Sequence, residues 1–117
     1  MADLAQLSEC LKDFRDERDW KQFHTLKNLS IALSIEASEL AELMLWKTDE
    51  EINEKLLEKN FRKSVEDECA DVLNYLLLIS SQVGFNLVDA AFEKIKENDQ
   101  KYPVKKSFGT AKKYTEL

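Results

Sequence analysis

Apolar residues recur along the chain at three- and four-residue steps, the period of amphipathic helices. Leu4, Leu7, Leu11 and Phe14 mark a first helix ending near Arg18. A polar stretch around Trp20 to His24 follows. Thr25 is placed to cap a second helix that runs through Leu29, Leu33, Leu40 and Leu43 to about Trp46. Thr48 and Glu51 have the spacing of a capping box, with Asp49 and Glu50 in the first turn, and predict a short helix to about Lys59. A third long helix is predicted from about Phe61 to Val83, closed by Gly84 as the left-handed residue. Asn86 can cap a fourth, which carries Val88, Ala91 and Ile95 and stops before Pro103.

Long helices joined by short loops pack most simply as an antiparallel bundle. The expected fold is therefore all-α: an antiparallel four-helix bundle with a short extra helix. Val72, Leu73, Tyr75, Leu76, Leu77, Leu78 and Ile79 carry apolar character most of the way round the third helix. A helix buried on several sides needs more partners than one small bundle supplies, so assembly into a homo-oligomer, a homodimer or homotetramer, is expected. The alternative is a monomer in which the short helix covers the extra surface.

Composition narrows the class. The chain has 117 residues with only two Gly and one Pro, which disfavours many short strands joined by tight turns. Its length fits one all-α domain over residues 1–103, with a tail over 104–117 that shows no helical stripe. That tail is locally basic, with Lys105, Lys106, Lys112 and Lys113 against Glu116. The whole chain is acidic, 17 Lys and Arg against 23 Asp and Glu, for a net charge of −6. A surplus of acid disfavours a partner that is a nucleic-acid polymer, since phosphate neutralisation needs Lys and Arg. No apolar run reaches the length of a membrane span, and the start Met-Ala-Asp-Leu lacks a basic flank, so no membrane partner and a cytoplasmic location are expected. Cys10 and Cys69 form no CxxC pair and are expected as reduced thiols packed in the helices.

Carboxylates stand where the core should be. The second helix's inward series reads Leu29, Leu33, Glu36, Leu40, Leu43, and the third's reads Phe61, Val65, Glu68, Val72, Tyr75, Ile79. Each glutamate has an acidic neighbour three residues on, Glu39 and Asp71, one turn along the same side. If the two helices run antiparallel, all four carboxylates can converge inside the bundle. Buried like charges repel and lose hydration, and a hard divalent cation relieves both costs. Oxygen-only ligation points to Mg²⁺, with Mn²⁺ as a substitute, and Mg²⁺ completes its shell with water and substrate phosphates. A di-iron carboxylate bundle would need ExxH motifs, which are absent, and the one histidine, His24, lies in neither pair. His24 is read as a packed or capping residue, and Glu42 as a solvent-side or outer charge.

Other residues admit two readings. Lys94, Asn98 and Lys101 share a strip of the fourth helix that could face phosphates and sugar, or simply be an exposed polar face. Trp20 and Trp46, with Tyr75, offer flat surfaces for a nucleobase, or pack as core.

The pattern Glu36-x-x-Glu39, a spacer, then Glu68-x-x-Asp71 resembles the signature of the MazG-like all-α nucleoside triphosphate pyrophosphohydrolase superfamily. Phe14-Arg-Asp-Glu-Arg-Asp-Trp20, Gln22-Phe-His24, Asn28-Leu29, Trp46-Lys47, Asp71-Val-Leu-x-Tyr75, Lys94-Ile-x-x-Asn98, Tyr102-Pro103 and the ending Lys113-Tyr-Thr-Glu-Leu117 are similar to its deoxycytidine triphosphatase branch. The resemblance implies Mg²⁺-dependent hydrolysis of a nucleoside triphosphate, dCTP or modified dCTP, between the α and β phosphates, to monophosphate and pyrophosphate. It implies that Glu36, Glu39, Glu68 and Asp71 bind the metal and serve catalysis. It also implies that Trp20 and Trp46 flank the base, with Tyr75 and Asn98 near base or sugar and Lys94 near phosphate. Two departures stand out: Ser38 replaces a glycine common in relatives, and Asn74 puts a polar group between Asp71 and Tyr75. A broad-specificity dNTP pyrophosphatase and a non-catalytic helical interaction module are the competing expectations.

Overall fold

The computed structural model describes residues 2–117, all of them helix, turn or loop, with no strand among them. Six helices occur in order: α1 (Leu4–Glu17), α2 (Leu26–Met44), α3 (Asp49–Lys55), α4 (Lys59–Val83), α5 (Leu87–Lys101) and α6 (Val104–Ser107). Single 3₁₀ turns occupy Lys21–Phe23 and Tyr114–Glu116. The all-α expectation is met, with four long helices and the expected short one, α3; α6 is a further short helix.

Local chemistry sets the helix ends. Asp3 accepts from the Gln6 N–H at 2.9 Å while Gln6 Oε1 accepts from the Asp3 N–H at 3.1 Å, a reciprocal cap on α1. Thr25 caps α2 through the Asn28 N–H at 3.1 Å, and Asn86 caps α5 through the Asp89 N–H at 3.0 Å. At α3 only the forward half of the expected box forms, with Thr48 Oγ1 accepting from the Glu51 N–H at 3.2 Å. α4 closes on Gly84 at φ 93°, a conformation open to glycine and costly for other residues. The stretch after Pro103, read as having no helical stripe, makes the single turn of α6, too short to carry one.

The residues group into two compact units, Met1–Gly84 and Phe85–Leu117, the second holding α5 and the tail. In the first unit α2 packs along α4, and α1 packs on α4. Leu29 of α2 and Leu77 and Leu78 of α4 are its buried hydrophobic residues. Ser80 is buried beside them, with its hydroxyl donating to the Leu77 carbonyl at 2.9 Å. Within the second unit Tyr102 meets Tyr114 edge to face at 5.9 Å, and the Lys101 ammonium lies 5.1 Å from the Tyr114 ring.

Candidate active site

The α2–α4 contact brings the interrupting glutamates together. One carboxylate oxygen from each of Glu36, Glu39 and Glu68 lies within 4.8 Å of the others. The Oε2 atoms of Glu36 and Glu68 are buried and have no hydrogen-bond partner. Desolvation comes first in raising the Glu36 carboxyl to about 7, followed by the adjoining Glu39 and the charge of Asp71. Glu68 is raised in the same sense, by desolvation and then by Glu39. Asp71 stands beside the cluster, acting on Glu36 through its charge, outside the set of oxygens that meet.

Asp71 also lines a cavity of about 400 Å³ between α1, the Trp20–His24 loop and α4. Leu11, Phe14 and Arg15 face it from α1; Asn74, Tyr75 and Leu78 face it from α4. Asp19 adopts φ 54° just past α1 and turns the chain back, so that Trp20 meets Phe14 edge to face at 5.8 Å. The Arg18 guanidinium sits 3.6 Å from the centre of the Phe14 ring. Burial raises the Tyr75 hydroxyl's pKa, and the charges of Glu36, Asp71 and Glu39 push it further the same way, which ties the cavity to the acidic cluster.

His24 faces the cavity with its Nδ1 buried and without a partner. Burial, then the charge of Arg15, lowers its pKa and favours the neutral ring. Arg15 itself is buried and bonds Asp16 through Nε at 2.8 Å, which holds the Asp16 carboxyl below its usual range.

Of the residues expected to contact substrate, Trp20 and Tyr75 line the cavity and Trp46 does not. Trp46 follows α2 at φ 64°, with 92% of its surface exposed. Lys94, Asn98 and Lys101 lie on α5 in the second unit, where Lys94 pairs with Glu97 at 3.2 Å. Cys10 and Cys69 are free and exposed, so the expectation that they pack inside the helices is corrected. Arg15, His24 and Asn74 carried no assigned site role in the sequence. A signal was present for Arg15, which stands four residues after Leu11 and hence on the edge of the same stripe.

Residues 31–117 match the MazG-like family. Over 105 residues the chain is 42% identical to dCTP pyrophosphatase 1 of Rattus norvegicus and 39% identical to dCTP pyrophosphatase 1 of Homo sapiens, covering 90% of this chain. It spans 62% of the length of these curated relatives. A solved structure, a pyrophosphatase from Archaeoglobus fulgidus, is similar with a TM-score of 0.80 and 38% identity, over 88% of this chain and 94% of that one.

Proposed function

The chain belongs to the MazG-like family, and on that premise we propose that it is a metal-dependent nucleoside triphosphate pyrophosphohydrolase acting on dCTP or a modified dCTP in nucleotide-pool house-cleaning. The observation that carries this reading is the meeting of Glu36, Glu39 and Glu68 oxygens within 4.8 Å, two of the residues having a buried oxygen without a partner. A buried acceptor left unpaired is costly, and three carboxylates at that separation repel. An oxygen-only donor set suits Mg²⁺ or Mn²⁺, so the residues fit the ion that the family implies. Glu36, Glu39 and Glu68 would hold it, with Asp71 completing the acidic surround. When bound, the ion offsets phosphate charge and polarises the phosphorus under attack.

The chain's own residues account for the remainder. Water adds to the α phosphorus and gives up a proton to solvent, the bridging oxygen leaves with its bonding pair as part of pyrophosphate, and the monophosphate keeps the sugar and base. The cavity beside Asp71 receives the nucleoside, with Trp20 and Tyr75 as apolar walls that exclude water. The names of the relatives support deoxycytidine triphosphate as the substrate. We also place the active protein in a homo-oligomer, since Trp46 is exposed outside the cavity and can flank a base only when another copy brings it there.

The test is incubation of the purified protein with dCTP, 5-substituted dCTP, dUTP, dTTP, dATP and dGTP, with Mg²⁺ or with a chelator. Expected is release of monophosphate and pyrophosphate in equal amounts, with none in chelator. Equal rates on all the nucleotides would make it a broad dNTP pyrophosphatase. No turnover of any nucleotide, with or without Mg²⁺, would overturn the proposal in favour of an interaction module.

A further inference from the structure

Among the polar groups of the cavity with no task in the reaction as proposed are Arg15 on α1 and Asn74 on α4. Arg15 is 8% exposed. Asp16 engages its Nε at 2.8 Å, while the two Nη groups at the tip of the fork make no hydrogen bond among the described residues and keep some solvent contact.

Its position decides what it can meet. Arg15 stands on α1 beside the Phe14–Trp20 pair, its carbonyl accepting from the Trp20 N–H at 3.0 Å, whereas the acidic cluster, where cation and phosphates gather in the reading above, is carried by α2 and α4. Along α4 the cavity passes from Asp71 to Asn74 and Tyr75, one turn on, and then to Leu78. A nucleotide with its phosphates at the Asp71 end presents its base at the other end, among Arg15, Asn74 and the Phe14–Trp20 pair.

We propose that Arg15 and Asn74 are the specificity-determining residues of this site and that they select cytosine, a proposal resting on the pyrophosphohydrolase reading above. The guanidinium only donates and is a rigid fork that needs two adjacent acceptors in one plane. Cytosine offers O2 and the unprotonated N3 side by side. Uracil and thymine carry a proton on N3, which would face the fork donor to donor. The Asn74 carboxamide oxygen can accept from the cytosine N4 amine, a group that uracil and thymine replace with a carbonyl. A mismatched donor facing N3 forfeits that bond, so cytosine is favoured over uracil and thymine.

The experiment compares kcat/KM for dCTP and dUTP in the unmodified protein, Arg15→Met, Arg15→Lys and Asn74→Leu. A parallel assay measures dCMP and dUMP binding in chelator by quenching of tryptophan fluorescence. The unmodified protein should prefer dCTP by about 100-fold or more, as expected for a site that hydrogen-bonds its substrate. Arg15→Met should lose most of its dCTP rate while the dUTP rate changes less than about threefold, so that the ratio collapses. Arg15→Lys keeps the charge without the fork and should also lose the preference. Asn74→Leu should erode the ratio on its own, which keeps the test alive if Arg15→Met does not fold. Equal losses on both nucleotides, full rescue by lysine, or a dCMP-to-dUMP binding ratio unmoved by all three variants would overturn the assignment. Those results leave pyrophosphate release intact in the unmodified protein, whereas absence of any turnover there would bring down the functional reading and this proposal together.

Discussion

At Glu36, desolvation, Glu39 and Asp71 hold the carboxyl protonated up to about pH 7, against an ordinary value of 4.5. Between those values the folded, metal-free protein binds more protons than the unfolded chain, so its stability falls as pH rises through the window. Glu68, raised in the same direction, adds to the slope. A bound cation must displace these protons, so metal affinity should climb with pH to about 7 and binding should release protons. Urea melts in chelator from pH 4.5 to 8 should show unmodified protein losing stability relative to Glu36→Gln as pH rises, the difference levelling above about 7. Excess Mg²⁺ should flatten the profile of the unmodified protein and leave that of Glu36→Gln largely unchanged. A difference between the two proteins that does not vary with pH would contradict the burial of this carboxyl. Glu36 and Glu68 were legible in the sequence because each breaks an apolar series, and burial of a charge is what such a break predicts. Arg15 left only the weak signal of its place at the edge of the α1 stripe, because one arginine beside Asp16 and Glu17 reads as part of a solvated face until a cavity is seen next to it.

Helix ends carry the next level of specification. α2 holds Glu36 and Glu39, and its start depends on Thr25 accepting from the Asn28 N–H, while the Asn28 carboxamide donates to the Phe23 carbonyl at 2.9 Å. Thr25→Ala should cost about 1 kcal/mol by urea denaturation, the usual value of a lost cap. Since Glu36 lies about three turns along α2, turnover at 25 °C should stay within about twofold of the unmodified protein while the melting temperature drops by about 4 °C. A loss of activity far exceeding the loss of stability would mean that the cap also positions the loop carrying Trp20 and His24. Caps were the easiest part of the fold to read, because Thr25, Thr48, Gly84 and Asn86 act through bonds to residues at most four positions away. The exact ends were harder. α3 stops at Lys55, short of Lys59, and α4 starts at Lys59, ahead of Phe61, with Glu58 as a cap lacking any side-chain bond. Exposed polar end residues such as Lys59 and Asn60 have no apolar side chain to place and leave no periodic trace.

Among the described residues of the first unit Leu29, Leu77 and Leu78 are the buried hydrophobic ones, and in the second unit Phe92 and Ile95 of α5 are 62% and 63% exposed. Val88, Phe92 and Ile95 fall at four- and three-residue steps on one face of α5, and α5 as a whole has no buried residue. Full burial of each such side chain is worth roughly 1.5–3 kcal/mol, so an uncovered stripe forgoes much of a small domain's net stability. The apolar circumference of α4, legible in the sequence, is the basis for expecting a second copy of the chain, and the exposed stripe on α5 is a second surface that such a copy could cover. Light scattering coupled to gel filtration should give a mass that is a multiple of the 13.6 kDa chain, and the melting temperature should rise with protein concentration. Phe92→Glu should shift the mass towards a single chain and lower the melting temperature, because an ionised carboxylate cannot be buried unpaired in an apolar contact. Glu97→Gln, half a turn round α5 from that stripe, should leave the mass unchanged. A single-chain mass for the unmodified protein at micromolar concentration would show that the apolar face is tolerated in water, and would remove the route by which the exposed Trp46 reaches a base.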